Sequence, residues 1–165
     1  MPSRTRIIGA RMPTVLLVSI DYWPEETGVG PYSTGLAEHL ARSGHDVTVL
    51  AGMPHYPQWK VVPAYRGKWR LSEERNGVQI IRRRHYVPGR QSAIRRAAYE
   101  GTWLAHAGST RLTSRPDAVL GVIPSLSGGI IARIAGARAR AAYGVIVQDL
   151  RNRGLTMLVV ALFGS

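Results

Sequence analysis

Thr14-Val15-Leu16-Leu17-Val18-Ser19-Ile20 is a continuous apolar, β-branched run. A glycine-bearing loop follows, then Pro31 to Gly44, then Asp46-Val47-Thr48-Val49-Leu50-Ala51. This stretch decides the fold. An apolar run without alternation reads as a strand buried on both faces, which belongs in a parallel sheet. Pro31 opens a helix, where its fixed φ and missing N–H do no harm. Leu36, Ala37, Leu40 and Ala41 give that helix one apolar face, and Gly44 stops it. Strand, loop, helix, glycine, strand is a βαβ unit, which lays its helix on the sheet and its ligand at the carboxyl ends of the strands.

The pattern continues outward from this unit. Residues 52–77 read as irregular, with Pro54, Pro57, Pro63 and finally Asn76-Gly77. Val78–Arg82 reads as a short strand and Ser92 to about Thr110 as a helix. Ala118–Val122 is a third buried strand. Ser125 is placed as the N-cap of a helix to about Ala135, and Ala141–Val147 is a further strand. The fold class is therefore α/β, a mostly parallel sheet with helices on both faces. Residues 1–12 read as a basic extension and residues 13–150 as one domain. Residues 151–165 read as an atypical tail, or as a helix through Leu155, Leu158, Val159 and Leu162, with no further strand to close the sheet.

Composition limits the chemistry. The 165 residues contain no cysteine, which removes disulfides and thiol catalysis. The formal net charge is +12, which favours anionic partners: phosphorylated ligands, an acidic membrane surface or nucleic acid. No run reaches the length of a membrane span. The expected location is cytoplasmic, or peripheral on the inner face of the cell membrane.

The loop from Asp21 to Ser33 carries Gly28-Val29-Gly30 just before the helix. Glycines at a helix N-terminus admit close backbone approach, and the free N–H groups there favour a diphosphate. A dinucleotide fingerprint fits poorly. The glycines lie about eight residues past the strand, the third glycine position is Ser33, and no acid ends the second strand. No Gly-Lys-Ser/Thr follows, so a Walker A loop is excluded. No Gly-x-Ser-x-Gly elbow supports a hydrolase. On the residues alone, an ordinary glycine-capped loop remains open.

Six segments in order resemble the opening of family 4 glycosyltransferases. They are Tyr22-Trp23-Pro24-Glu25; Thr27-Gly28-Val29-Gly30-Pro31-Tyr32; Leu36-Ala37-Glu38-His39-Leu40; Gly44-His45-Asp46-Val47-Thr48-Val49; Gly121-Val122-Ile123-Pro124-Ser125; and Val145-Ile146-Val147-Gln148-Asp149-Leu150. Met53-Pro54-His55-Tyr56-Pro57-Gln58-Trp59 and Tyr86-Val87-Pro88 are similar to the colanic-acid, exopolysaccharide-building branch. The resemblance implies the N-terminal, Rossmann-like half of a GT-B enzyme. Such an enzyme transfers a sugar from a nucleotide-diphosphate sugar to a glycan acceptor, often lipid-linked, usually with retention and without a metal or cofactor. The acceptor-side half is the one present. The donor half is expected to be missing and the chain alone to be inactive.

The implied sites follow residue by residue. Gln148 and Asp149 take the catalytic position, although many relatives have His where this chain has Gln148, and Gln cannot exchange a proton near neutral pH. Gly28, Val29 and Gly30 would hold the donor phosphates. Glu25, His55, Tyr56, Gln58, Trp59 and Ser125 would line the acceptor. Arg82, Arg83, Arg84, Arg95 and Arg96, with Trp69 and Trp103 nearby, read as a patch for an anionic membrane surface. Two other readings stand beside this one: a binding remnant that transfers nothing, and a basic nucleic-acid binder. The second lacks any recognition-helix, aromatic-strand or zinc pattern.

Overall fold

The structure is a computed structural model that describes residues 11–123, 125–149 and 156–162, the last seven and residues 148–149 by backbone alone. Its elements are β1 (Thr14–Ser19), α1 (Gly30–Arg42), β2 (Asp46–Gly52), β3 (Arg70–Arg75), β4 (Val78–Arg83), α2 (Ala93–Gly108), β5 (Ala118–Ile123), α3 (Leu126–Ala139), β6 (Ala142–Asp149) and β7 (Thr156–Leu162). A single 3-10 turn, Pro63–Tyr65, interrupts the long connection after β2.

The seven strands form one sheet in the order β3-β4-β2-β1-β5-β6-β7. The five central strands are parallel. The two edges, β3 and β7, are antiparallel to their neighbours. All six residues of β1 are buried, as its unbroken apolar run requires. Helix α1 covers one face: Ala37 packs with Leu17, Val47, Val49, Val78 and Ile80. Helices α2 and α3 cover the other: Tyr99, Trp103 and Ile131 pack with Leu16, Val18, Leu50 and Ile81. The α/β, Rossmann-like expectation is therefore met.

Two expectations are corrected. The 52–77 segment is not irregular throughout. Arg70–Arg75 pairs antiparallel with β4 through the Asn76-Gly77 turn, where both residues have positive φ (49° and 77°). That is the left-handed pair a two-residue hairpin needs. The 151–165 segment is neither helix nor loose tail over 156–162. Those residues form β7, which pairs with β6 from Tyr143↔Leu162 to Asp149↔Thr156. The expectations for residues 1–10, Pro124, 150–155 and 163–165 lie outside the described residues. Among the described residues no helix is long and apolar enough to cross a membrane.

The chain leaves β1 toward β2 on one side and later returns to add β5 on the other. Their carboxyl ends part at this reversal and leave a crevice, the place where open α/β sheets bind ligands.

Candidate functional site

The crevice is a cavity of about 130 Å³ lined by Asp21, Gly28, His55, Trp59, Arg96, Tyr99 and Ser125, among others. Four elements supply these groups: the loop after β1, the loop after β2, the first half of α2, and the residue before α3.

Glu25 fastens the first two. It is only 6% exposed, and its Oε1 accepts from the backbone N–H of His55 and of Tyr56, both at 2.8 Å. Oε2 accepts from the N–H of Tyr22 at 3.2 Å. Burial still pushes the carboxyl above the ordinary value, against these three bonds. Glu25 is thus a clamp between loops, and its oxygens are committed to the backbone. This corrects the expectation that it meets an acceptor hydroxyl.

Both glycines of the 28–30 loop are needed for space. Gly28 has φ +68°, and a Cβ there would stand 2.9 Å from Cε1 of Tyr56. At Gly30 a Cβ would meet the backbone oxygen of Glu25 at 2.9 Å. Val29 between them is buried and sits at the N-cap of α1. The helix therefore starts at the lip of the crevice with its first N–H groups free of a side-chain cap, the arrangement that suits an anion.

His55 is 1% exposed, so it backs the crevice and is no surface wall. Its Nδ1 is 3.1 Å from the carbonyl oxygen of Met53, and its Nε2 is 3.3 Å from the hydroxyl of Tyr99. Burial pulls its pKa down to about 4, so the ring is neutral near pH 7. A neutral ring that donates from Nδ1 to Met53 accepts at Nε2 from Tyr99. Asp21 lies 3.9 Å from the same Nε2. Burial first, and then the charge of Glu25, push the Asp21 carboxyl up to about 7. Its buried Oδ1 has no partner. It is the group in the crevice poised to meet a ligand hydroxyl.

Asp21, Glu25 and His55 bring three potential cation ligands within 4.8 Å of one another. Their donors are largely spent: Glu25 on three backbone N–H groups, His55 on Met53 and Tyr99. A cation would have to displace those bonds.

The far side is built on Glu100. Its Oε2 accepts from Ser125 Oγ at 2.7 Å, from the N–H of Ser127 at 3.1 Å and from Ser127 Oγ. Burial pushes this carboxyl up, but the bonds from Ser127 and Ser125 and the charge of Arg96 outweigh it. Ser125 does occupy the N-cap of α3, yet its own side chain makes no cap bond. Glu100 caps the helix from α2 instead, and it holds Ser125 at the cavity wall. Arg96 lies 2.8 Å from the other oxygen of Glu100 and 5.1 Å over the Tyr99 ring. A fixed cation therefore faces the crevice.

The structure brings together Gly28, Val29, His55, Tyr56, Trp59 and Ser125. It leaves Gln58 exposed and outside that group. Gln148 and Asp149 end β6, the strand beside β5, and their side chains lie outside the described residues. The five-arginine patch is corrected. Successive residues of a strand point to opposite faces. Arg82 is 0% exposed, pairs with Glu73, and donates to the carbonyl oxygens of Gly52 (3.1 Å) and Trp23. Arg83 donates to His106 O at 3.0 Å on the other side. Arg96 turns into the crevice, and Trp103 is a core residue at 0% exposure. Only Arg84 and Arg95 of the five are exposed. Sequence reasoning missed Asp21, Tyr99 and Glu100 as site groups. Asp21 directly follows the β1 run and could have been found from that position. Tyr99 and Glu100 carried no local signal.

Comparison with known proteins bears on this crevice. The family model described as a glycosyl transferase 4-like domain matches residues 27–162. The putative colanic acid biosynthesis glycosyl transferase WcaI of Escherichia coli (strain K12) is 34% identical over 131 residues, covering 75% of this chain and 32% of that relative. The chain thus spans about a third of the length of the curated relative it matches.

Proposed function

The chain belongs to the glycosyl transferase 4-like family, and on that premise we propose that it is the acceptor-side, N-terminal half of a GT-B glycosyltransferase. The whole enzyme transfers a sugar from a nucleotide-diphosphate sugar to a glycan acceptor, lipid-linked in exopolysaccharide or cell-envelope synthesis. The observation that carries this reading is the crevice itself. It sits at the reversal of strand order, with a glycine-cleared helix N-terminus on one lip and Arg96 on the other.

In this reading the α1 N-terminus at Gly28-Val29-Gly30, with Arg96, stabilises the departing diphosphate, and the rate gain comes from charge placed in advance. Asp21 receives an acceptor hydroxyl, and Tyr56, Trp59 and Ser125 shape the pocket around the sugar. His55 supports Tyr99 and Asp21 from behind. Gln148 and Asp149, at the end of the neighbouring strand, are the catalytic pair in this reading. No metal is required, because fixed protein charges supply the stabilisation. A second Rossmann-like domain brings the donor, and the chain by itself is inactive. Exposed Arg95, with the net charge of +12, favours contact with an anionic membrane surface.

Mass-detected transfer from a panel of nucleotide sugars into membrane lipid extract tests the proposal. Activity should appear when a donor-binding domain is joined to this chain and disappear in Gly30→Ala. Steeply salt-dependent binding to random DNA, with no effect of sugars, would favour a nucleic-acid binder instead.

A further inference from the structure

A larger cavity, of about 710 Å³, opens beside the crevice. It lies between the 59–69 connection, the segment after β4 and one side of α2. Trp59 lines both spaces. Lys60, Arg66, Lys68 and Arg84 line the cavity, all exposed, and among the described residues no acid does. Its aromatic walls include Trp59, Trp69 and Tyr86. The last two are 54% and 40% exposed.

Three further facts mark this as a built site. The Arg84 guanidinium lies 5.5 Å over the Trp69 ring, and Arg84 N–H donates to Trp69 O at 3.1 Å, so cation and ring are held as a pair. His106 packs its ring 4.7 Å from Trp69 and holds the carbonyl oxygen of Arg84 2.6 Å from its Nδ1. His85, 5% exposed, lines the cavity, and among the described residues neither of its ring nitrogens has a hydrogen-bond partner. A buried polar group without a partner calls for one. In addition, Trp59 holds φ +53°, a left-handed conformation rare for a bulky residue and found at ligand clamps.

We infer that this cavity binds a pyranose carrying an anionic group, a phosphate or a carboxylate, as a second subsite for the acceptor next to the one that reacts. The apolar C–H face of a pyranose stacks on an aromatic ring. Cations set around those rings select a negative substituent. The Trp69 ring stands at 50° to His106, so these two rings form no parallel pair for a flat base to enter. The inference rests on the sugar-transfer reading but concerns a different space. Trp59, shared by both, would place the anionic sugar one unit away from the reacting one.

Calorimetric titration of the 165-residue chain tests this directly. The probes are glucose 1-phosphate, glucuronate, glucose, inorganic phosphate and uridine 5′-monophosphate. At least one anionic sugar should bind roughly tenfold more tightly than both glucose and inorganic phosphate, the scale of one charge-assisted hydrogen bond. Which of the two wins identifies the anion. Arg84→Gln, an exposed change that leaves the core alone, should remove that advantage, as should Trp69→Ala. Asp21→Asn, a change in the crevice, should leave this binding intact even where it abolishes transfer, so loss of one reading does not imply loss of the other. Equal binding of inorganic phosphate, tighter binding of the nucleotide, or no difference between glucose and the anionic sugars would overturn the inference.

Discussion

At the scale of single residues, two acids of the crevice, Asp21 and Glu25, sit in surroundings that oppose their charge. Asp21 is the sharpest case. Its carboxyl moves from 3.8 to about 7, first by burial and then by the charge of Glu25. A raised carboxyl pKa means the folded chain holds a proton that the unfolded chain gives up. Stability from this group is therefore lost as pH rises from about 4 to about 7. Asp21→Asn, which stays neutral, should show a melting temperature that gains on the wild type across that window and holds a constant lead above it. The lead should be a few degrees, read by thermal melts at half-unit pH steps. A pH-independent difference would show that Asp21 ionises freely. Glu25→Gln turns an acceptor into an N–H donor against one of three backbone N–H groups, and should cost about 1–3 kcal/mol in urea melts. The sequence reading put His55 and Glu25 in contact with sugar. It had no means of showing depth: His55 is 1% exposed and Glu25 6%. Arg82 failed for a related reason. Three adjacent arginines look like one patch in a string, whereas a strand sends them to different faces.

At the scale of elements, the strongly apolar strands and the helices between them were readable, because parallel strands buried on both faces leave unmistakable runs. The two edges were not. Residues 70–75 alternate between exposed and half-buried, and their charges suit an edge that must not recruit another strand. The Asn76-Gly77 turn was the available signal. Thr156–Leu162 shows helical and strand periodicity at once, and its β-branched content favours the strand seen. The hairpin gives its own prediction. Gly77 has φ +77° with open space around it, its nearest neighbour being Ala41 Cβ at 3.8 Å. Gly77→Ala should therefore destabilise through backbone strain alone, by about 1 kcal/mol. It should do so without altering ligand binding, and a chemical melt with a parallel binding titration reads both. Gly30→Ala has the opposite character. Its Cβ meets backbone, so the loop between β1 and α1 must move and binding should fall with stability.

At the scale of the whole molecule, the strand order carries the argument. A sheet that grows outward in both directions from β1 opens at its carboxyl edge, and the Gly28-Val29-Gly30 loop falls there. The chain spans 32% of the relative's length, and the proposed function has a second domain complete the crevice. The most direct test joins this chain to the donor-binding half of the 34% identical relative and follows sugar transfer by mass, beside the 165-residue chain alone. The account predicts transfer by the joined protein, none by the chain alone, and loss of transfer in Asp21→Asn and Gly30→Ala. Transfer that persists undiminished in both variants, or that the chain performs unaided, would contradict it.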